Sequence, residues 1–315
     1  MSIDKTQFDT PGRSSGLLEV FRRNYLESLL VHKELRVRYR GSVLGMLWSY
    51  AKPLTQFAVF YVAVGLFMGM ERNISHFVLY MFAGVVLINY FTEAFSNATR
   101  SVVVNAALVK KIYLPRQLFP VSSIWVALVH LGPQLVVLLV AALIFGWRPG
   151  LMNLAAIVLA VIIVTVFALG VGLMFAAANV FFRDAENFVE LILMMATWIS
   201  PILYSWTMVY KVFVDHGLTW IWTIYQLNPM TVAVELFHYG FWQPTISPEE
   251  ILVHGQAGFA NFSPAEIGEM NAAQAGSFPP NAYLWVALAF VISFIVLFVG
   301  DWVFRRAERR FAQEL

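Results

Sequence analysis

No cysteine occurs in the 315 residues, which excludes a disulfide framework, a thiolate metal site and a cysteine nucleophile together. Charge is nearly as scarce. Asp, Glu, Lys and Arg make up 13% of the chain against 59% hydrophobic residues, more apolar surface than one water-soluble core can bury. With a mean hydropathy of +0.69, the main solvent is the bilayer. The six histidines, His32, His76, His130, His216, His238 and His254, are scattered without an H-x-x-x-H or H-E-x-x-H pair, so metal chemistry is not expected. No basic stripe suggests a nucleic-acid partner, and no repeat period indicates a solenoid. Met1 to Gly16 is polar and lacks an apolar core, so no cleaved signal peptide is expected.

What the chain does have is long apolar runs with cations between them. Crossing roughly 30 Å of hydrocarbon takes about 20 residues. Six stretches satisfy this: Met46 to Gly69, Phe77 to Ala98, Leu118 to Phe145, Leu154 to Val180, Phe188 to Trp206 and Ala282 to Gly300. None alternates polarity like a barrel strand, so an all-α bundle of six transmembrane helices is expected. Lys33, Arg36, Arg38 and Arg40 crowd the leading edge of the first span and fix that edge on the cytoplasmic side. Lys52 can snorkel back to the interface, and Pro53 falls in the first turns of the span. Arg100, Lys110, Lys111, Arg116 and Arg183 then fall in cytoplasmic loops, and Arg305, Arg306, Arg309 and Arg310 on a cytoplasmic tail. Only Arg72, Arg148 and Lys211 lie outside, a bias that requires an even number of crossings.

The expected organisation is a cytoplasmic N-terminus over residues 1–45, a transmembrane domain over 46–304 and a cytoplasmic tail over 305–315. Leu17 to Lys33 sets Leu18, Phe21, Tyr25 and Leu29 on one helical stripe and Glu19, Arg23 and Glu27 on another face. Such a helix lies in the membrane interface or packs on a soluble partner. Within the outer segment 207–281, Met208 to Leu227 and Met230 to Trp242 are apolar but too short or interrupted to span, which suits re-entrant or interfacial helices. Pro244 to Pro280, rich in Pro, Gly, Asn and Glu and free of basic residues, reads as an acidic external loop.

Four motifs follow one another along this plan. Lys33 to Leu54 reads K-E-L-x-V-R-Y-R-x-S-x-L-G-x-L-W-x-x-x-x-P-L, and Lys110 to Ser123 reads K-K-I-Y-L-P-R-Q-L-F-P-V-S-S. Leu169 to Leu191 carries L-G-V-G-L-M-F-A-A-A-N-V-F-F-R-D-A-E-N-F-V-E, and Trp198 to Tyr204, W-I-S-P-I-L-Y, precedes Q-L-N-P-M at Gln226 to Met230. In that order they resemble the ABC-2 type permeases that export cell-surface polysaccharides such as O-antigen, teichoic acid, capsule and galactan. The resemblance runs from Leu17 to Arg310 and is nearest to exporters of lipid-linked galactan. Pro244 to Pro280 departs from it, being longer than expected before the last span.

The resemblance implies a homodimer that holds two ATP-binding cassette subunits in the bacterial cytoplasmic membrane and moves a lipid-linked polysaccharide. ATP and Mg would be bound by the partner, since this sequence lacks a G-x-x-x-x-G-K-[ST] loop. It implies ATPase coupling through the interface helix, with Arg22 and Arg23, and through a helix at Arg100 to Val109 followed by Lys110, Lys111 and Arg116. By their residue types alone these cations are equally topology charge. It also implies that the first and fifth spans line the conduit, where Trp48, Phe57, Tyr61, Trp198, Tyr204 and Trp206 would present rings to the C–H faces of sugars. Aromatic rings at such positions also serve as interfacial belt or packing.

Other residues read more plainly. Pro201 frees a backbone carbonyl that a neighbour or water must satisfy. Ala168, Gly172 and Ala176 make a helix-packing strip. Glu186 and Glu190 offset a helix dipole or pair with Arg183. Glu93, with Asn89 and Asn97 a turn away, either lines a polar inner entrance or pairs with Arg100. His130, before Gly132-Pro133, marks a kink. Rival readings are a drug or small-lipid exporter of the same superfamily, a membrane-embedded glycosyltransferase or acyltransferase, for which no aspartate pair or His–Asp arrangement is found, and an ion-coupled flippase.

Overall fold

A computed structural model describes residues 16–22, 24–41, 45, 48–69, 74–111, 114–246 and 278–315. Every regular element among them is helical. Two short pieces, α1 (Leu17–Arg22) and α2 (Asn24–Tyr39), precede α3 (Trp48–Phe60), which continues as a π-helix over Tyr61–Phe67. Then come α4 (Phe77–Val104), α5 (Ala106–Lys111), α6 (Leu118–Ile144) and α7 (Leu151–Phe181). After α8 (Ala185–Ile199) the chain makes three short helices, α9 (Trp206–Asp215), α10 (Thr219–Gln226) and α11 (Pro229–Phe241). It closes with α12 (Ala282–Ala307), a 3-10 turn at Glu308–Arg310 and α13 (Phe311–Glu314). The external loop expected over Pro244 to Pro280 falls mostly outside the described residues, as do Arg23 and Arg72.

Among the described residues four helices are long and apolar enough to cross a membrane: α4, α6, α7, and α12 with its 3-10 extension. The expected first span is shorter, thirteen α-helical residues and then seven in π geometry. The expected fifth does not run unbroken to Trp206 but stops at Ile199, and its 15 residues reach only about 22 Å. Proline at 201 is the reason, because it has no N–H to continue the ladder. The segment still covers membrane depth. Glu186 and Glu190 at the start of α8 meet Arg100 of α4, while the carbonyl of Pro201 meets Tyr80 of the same helix, 20 residues or about 30 Å away along its axis.

Four carbonyls around this break have a hydroxyl neighbour. The Tyr204 hydroxyl folds back to the last carbonyls of α8, 2.9 Å from Trp198 O and 2.5 Å from Ile199 O. The Tyr80 hydroxyl lies 3.1 Å from Pro201 O and 2.9 Å from Tyr204 O. The hydroxyls of Tyr80 and Tyr204 thus meet carbonyls on both sides of Pro201.

α7 is the centre of the bundle, packed along α4, α11 and α12. The small residues expected to pack do so: an ideal Cβ on Gly172 would fall 2.6 Å from Ala98 Cβ, and one on Gly300 only 2.2 Å from the Gly170 carbonyl oxygen. α7 meets α4 and α12 at backbone distance, which larger side chains would forbid. α11 begins at an Asn-Pro pair, where Asn228 Oδ1 accepts the Met230 N–H at 3.0 Å and Pro229 takes the first helical position. Nearly all of this 13-residue helix is buried among α4, α7 and α12.

The two ends of the bundle differ in composition. α1, α2, α5 and α13 gather at one end around Val20, Leu30, Val109, Phe304 and Phe311, so the first and last described helices share a cluster. The Leu17 backbone N–H donates to the Asp301 carboxylate, which also pairs with Arg305 at 2.9 Å. Among the residues whose side chains are described, every Lys and Arg except Arg148 and Lys211 belongs to this basic end. The far end holds α9 to α11 and a separate cluster of Trp206, Trp222 and Tyr225.

Candidate functional site

A groove runs between α3, α4 and α8, the helices of the expected first, second and fifth spans. Its lower part, a cavity of about 730 Å³, is floored at the basic end by Arg38, Glu93, Arg100 and Glu190. Its upper part, about 630 Å³, is lined by Thr55 and Gln56 of α3, Asn89 and Thr92 of α4, and Thr197 of α8. Trp48, Asn89, Thr92 and Leu193 line both parts, which makes the groove continuous.

The helical repeat builds the α4 wall. Asn89, Thr92, Glu93, Ser96, Asn97 and Arg100 recur at three- and four-residue spacing, so one stripe of an otherwise buried helix is polar and faces the groove. Two sets of ion pairs hold the floor. Arg38 of α2 pairs with Glu93, and Arg100 reaches across to α8, 2.9 Å from Glu186 and 3.4 Å from Glu190. Of the two readings of Glu93, it lines the polar entrance and pairs with Arg38 rather than Arg100, while Glu186 and Glu190 pair with Arg100 rather than Arg183.

His130 is more than a kink marker. Only 1% exposed, it holds Glu93 at Nδ1 and Tyr39 OH at Nε2, 2.8 Å away, with Arg38 at 2.9 Å. Sequence reading missed this because its partners lie 37, 91 and 92 residues away.

The same contacts fix α2. Lys33 Nζ donates to Asn105 Oδ1, Ser122 Oγ donates to Glu34 at 3.5 Å, and the Trp125 side chain bonds Glu27. Burial pushes the Glu27 and Glu34 carboxyls above the usual range, opposed by Trp125 for the first and by Lys33 and Arg38 for the second. α2 therefore turns Glu27, Leu30 and Glu34 inward and leaves Tyr25, Leu29 and Val37 exposed, the face that suits a lipid interface.

The residues singled out from sequence fall in different places. Trp48 and Glu93 line the groove. Phe57 and Tyr61 stack on each other at 6.3 Å and pack on the core, with Phe57 edge-on to Phe82 at 5.1 Å. Trp198 is 59% exposed and approaches Phe60 of α3, ring centroids 6.4 Å apart. Tyr204 serves the break after α8, and Trp206 is buried in the far-end cluster.

Of the cations, Arg22, Lys110 and Lys111 are exposed at the basic end. Arg116 lies over the Phe311 ring at 5.8 Å and ties the segment after α5 to the tail. Arg100 belongs to α4, which runs unbroken to Val104, so the short cationic helix is Ala106–Lys111 and not Arg100 to Val109. The polar lining residues Thr55, Gln56, Thr92 and Thr197 were not singled out, though the α4 stripe was readable from its spacing.

The arrangement offers a membrane-depth path that is polar on one wall and charged at one end. A family model described as ABC-2 type transporter matches residues 25–242. An O-antigen export system permease protein, RfbA, of Klebsiella pneumoniae is 28% identical over 298 residues, 94% of this chain and 98% of its own length. Another of the same name and organism is 31% identical over 74% of this chain and 87% of itself. A Myxococcus xanthus protein of that name is 28% identical over 59% of this chain and 70% of itself.

Proposed function

The chain belongs to the ABC-2 type transporter family, and we propose that it is the permease subunit of an exporter that moves a cell-envelope polysaccharide across the cytoplasmic membrane. Family membership makes it a multi-pass transport subunit that works with an ATP-binding cassette subunit. The observation that carries the reading is the continuous groove between α3, α4 and α8. It supports export because it joins a charged mouth to a polar wall at membrane depth, in a chain that permeases named for O-antigen export match over most of its length.

In this reading the basic end is cytoplasmic, so both termini are inside. Two copies face each other, each holding one cassette subunit, and ATP and Mg stay on that partner. The cargo is a lipid-linked polysaccharide, galactan- or O-antigen-like. Exposed Arg22, Lys110 and Lys111 meet the partner, and Arg116 carries its motion to the tail through Phe311. α2, bonded to α4 and α6 by Arg38, Tyr39 and Lys33, passes a rigid-body shift to the groove floor.

Co-expression with the cassette subunit encoded beside it tests the reading. A stable ATPase of two plus two subunits is expected, and cells lacking the chain should lose surface glycan. Intact glycan with new sensitivity to toxic compounds would replace it with the drug-exporter alternative.

A further inference from the structure

We infer that the outer part of α3 is a gate worked by helical register: Tyr61–Phe67 keeps the outer end of the groove closed in π geometry and opens it by winding into α-helix. This rests on the export reading and gives the groove its moving part. The described lining residues of α3, Trp48, Ala51, Thr55 and Gln56, all belong to its α-helical portion. Above them Phe60 meets Trp198 of α8 across the groove, and from Tyr61 onward the ladder changes, the Met68 N–H reaching Ala63 O at 3.2 Å, five residues back. π turns are rare and concentrate at functional sites, and each carries one residue more than α geometry needs over the same length.

The surplus residue decides what faces α4. Val64 and Gly65 are buried, while Val62, Leu66, Phe67 and Met68 are exposed. An ideal Cβ on Gly65 would fall 3.1 Å from the Tyr61 ring and 3.2 Å from the Phe77 ring, so the π register fits because glycine stands at the contact. Winding the turn into α geometry shifts each following residue into the place of the next, a rotation of about 100°. Val64 then comes to the place of Gly65, and its branched side chain has no room between the two rings. Phe77 is anchored, since it opens α4 directly after His76, which is hydrogen-bonded to Thr245 at 3.1 Å, and Trp242 Nε1 donates to Ser75 O at 2.7 Å. The outer part of α3 must therefore swing off α4, which extends the groove outward between the two helices.

Two variants push the register in opposite directions, read in proteoliposomes holding the complex with its cassette subunit. Deleting Ala63, an exposed residue of the π turn, removes the surplus residue and fixes the closed packing in α geometry. Transport of a polyprenyl-linked oligosaccharide is expected to fall by about tenfold or more with ATPase activity present, while Tm stays level or rises. Gly65→Val crowds the two rings and is expected to let a trapped water-soluble dye leak severalfold faster than the unmodified complex does, without ATP. A deletion variant that transports at the unmodified rate, or one that loses transport and also melts lower, overturns the inference, and so does a folded Gly65→Val variant that stays tight. The dye needs no glycan, so this arm reads the gate by itself. If the unmodified complex hydrolyses ATP and moves no oligosaccharide while Gly65→Val leaks as expected, the export reading fails and the gate stands.

Discussion

The two ends of the bundle are held by different forces. At the basic end helices meet through side-chain ion pairs near water, Arg38 with Glu93 and Arg100 with Glu186 and Glu190, all on partly exposed groups. At the far end they meet through neutral side chains bonded to backbone carbonyls: Tyr80 to Pro201 and Tyr204, Trp147 to Gly240 at 3.0 Å, Asn153 to Tyr239 at 2.8 Å and Trp242 to Ser75 at 2.7 Å. Ion pairs at a wet surface contribute little net stability and exchange partners readily. Buried bonds to carbonyls have no substitute, because a carbonyl left unpaired is penalised in full. The basic end is thus suited to rearrangement and the far end to holding shape, a division fitting a machine driven from one side.

The largest effect should come from reversing one charge on the floor. Arg38→Glu places a carboxylate against Glu93 beside His130, and export is expected to fall by about tenfold or more, like charges being strongly unfavourable there. Arg38→Glu with Glu93→Arg should recover much of it. If the double variant is as inactive as the single one, the pairing is not what matters.

Next comes the exposed surface of the same end. Replacing Lys110, Lys111 and Arg116 by Glu should leave insertion intact and ATPase activity present while transport is lost. Unchanged transport would separate these residues from coupling and weaken the contrast between the ends.

Tyr80→Phe probes the far end. Removing one hydroxyl from buried carbonyls should cost about 1–3 kcal/mol, read as a lower Tm of the detergent-solubilised protein, with transport per folded molecule preserved. A variant that melts normally yet transports poorly would make the break after α8 a moving part.

The smallest change is expected from Glu27→Gln. Burial raises the Glu27 carboxyl in the folded state, so the protonated form is favoured there and α2 is held best at low pH, losing that advantage as pH rises through the raised value. The amide should hold α2 as well at neutral pH as the acid does when protonated, within about 1 kcal/mol. Hydrogen exchange across α2 measures it, and equal pH dependence in both proteins would assign the effect elsewhere.

Much of the architecture was legible in the sequence. Hydropathy marked α4, α6, α7 and α12, since burial in lipid demands long apolar runs, and cation placement foretold that the first and last segments share an end. Asn228-Pro229 announced the start of α11 through its capping chemistry. Other features were not legible because they depend on depth and distance. Pro201 signalled a break, but the hydroxyls of Tyr80 and Tyr204 that meet the carbonyls around it did not follow from local sequence. His130 looked isolated because its partners are far along the chain. The aromatic residues were the natural candidates for a sugar path, yet the structure lines the groove chiefly with threonine and amide side chains and keeps Phe57, Tyr61 and Trp206 for packing. Composition marks rings as frequent and says nothing of which way they turn.

The joint between Leu17 and Asp301, with Val20, Phe304 and Phe311 packed around it, bears on biosynthesis. Its two sides lie about 280 residues apart in the sequence, so the cluster that closes the basic end cannot form until α12 is made and inserted.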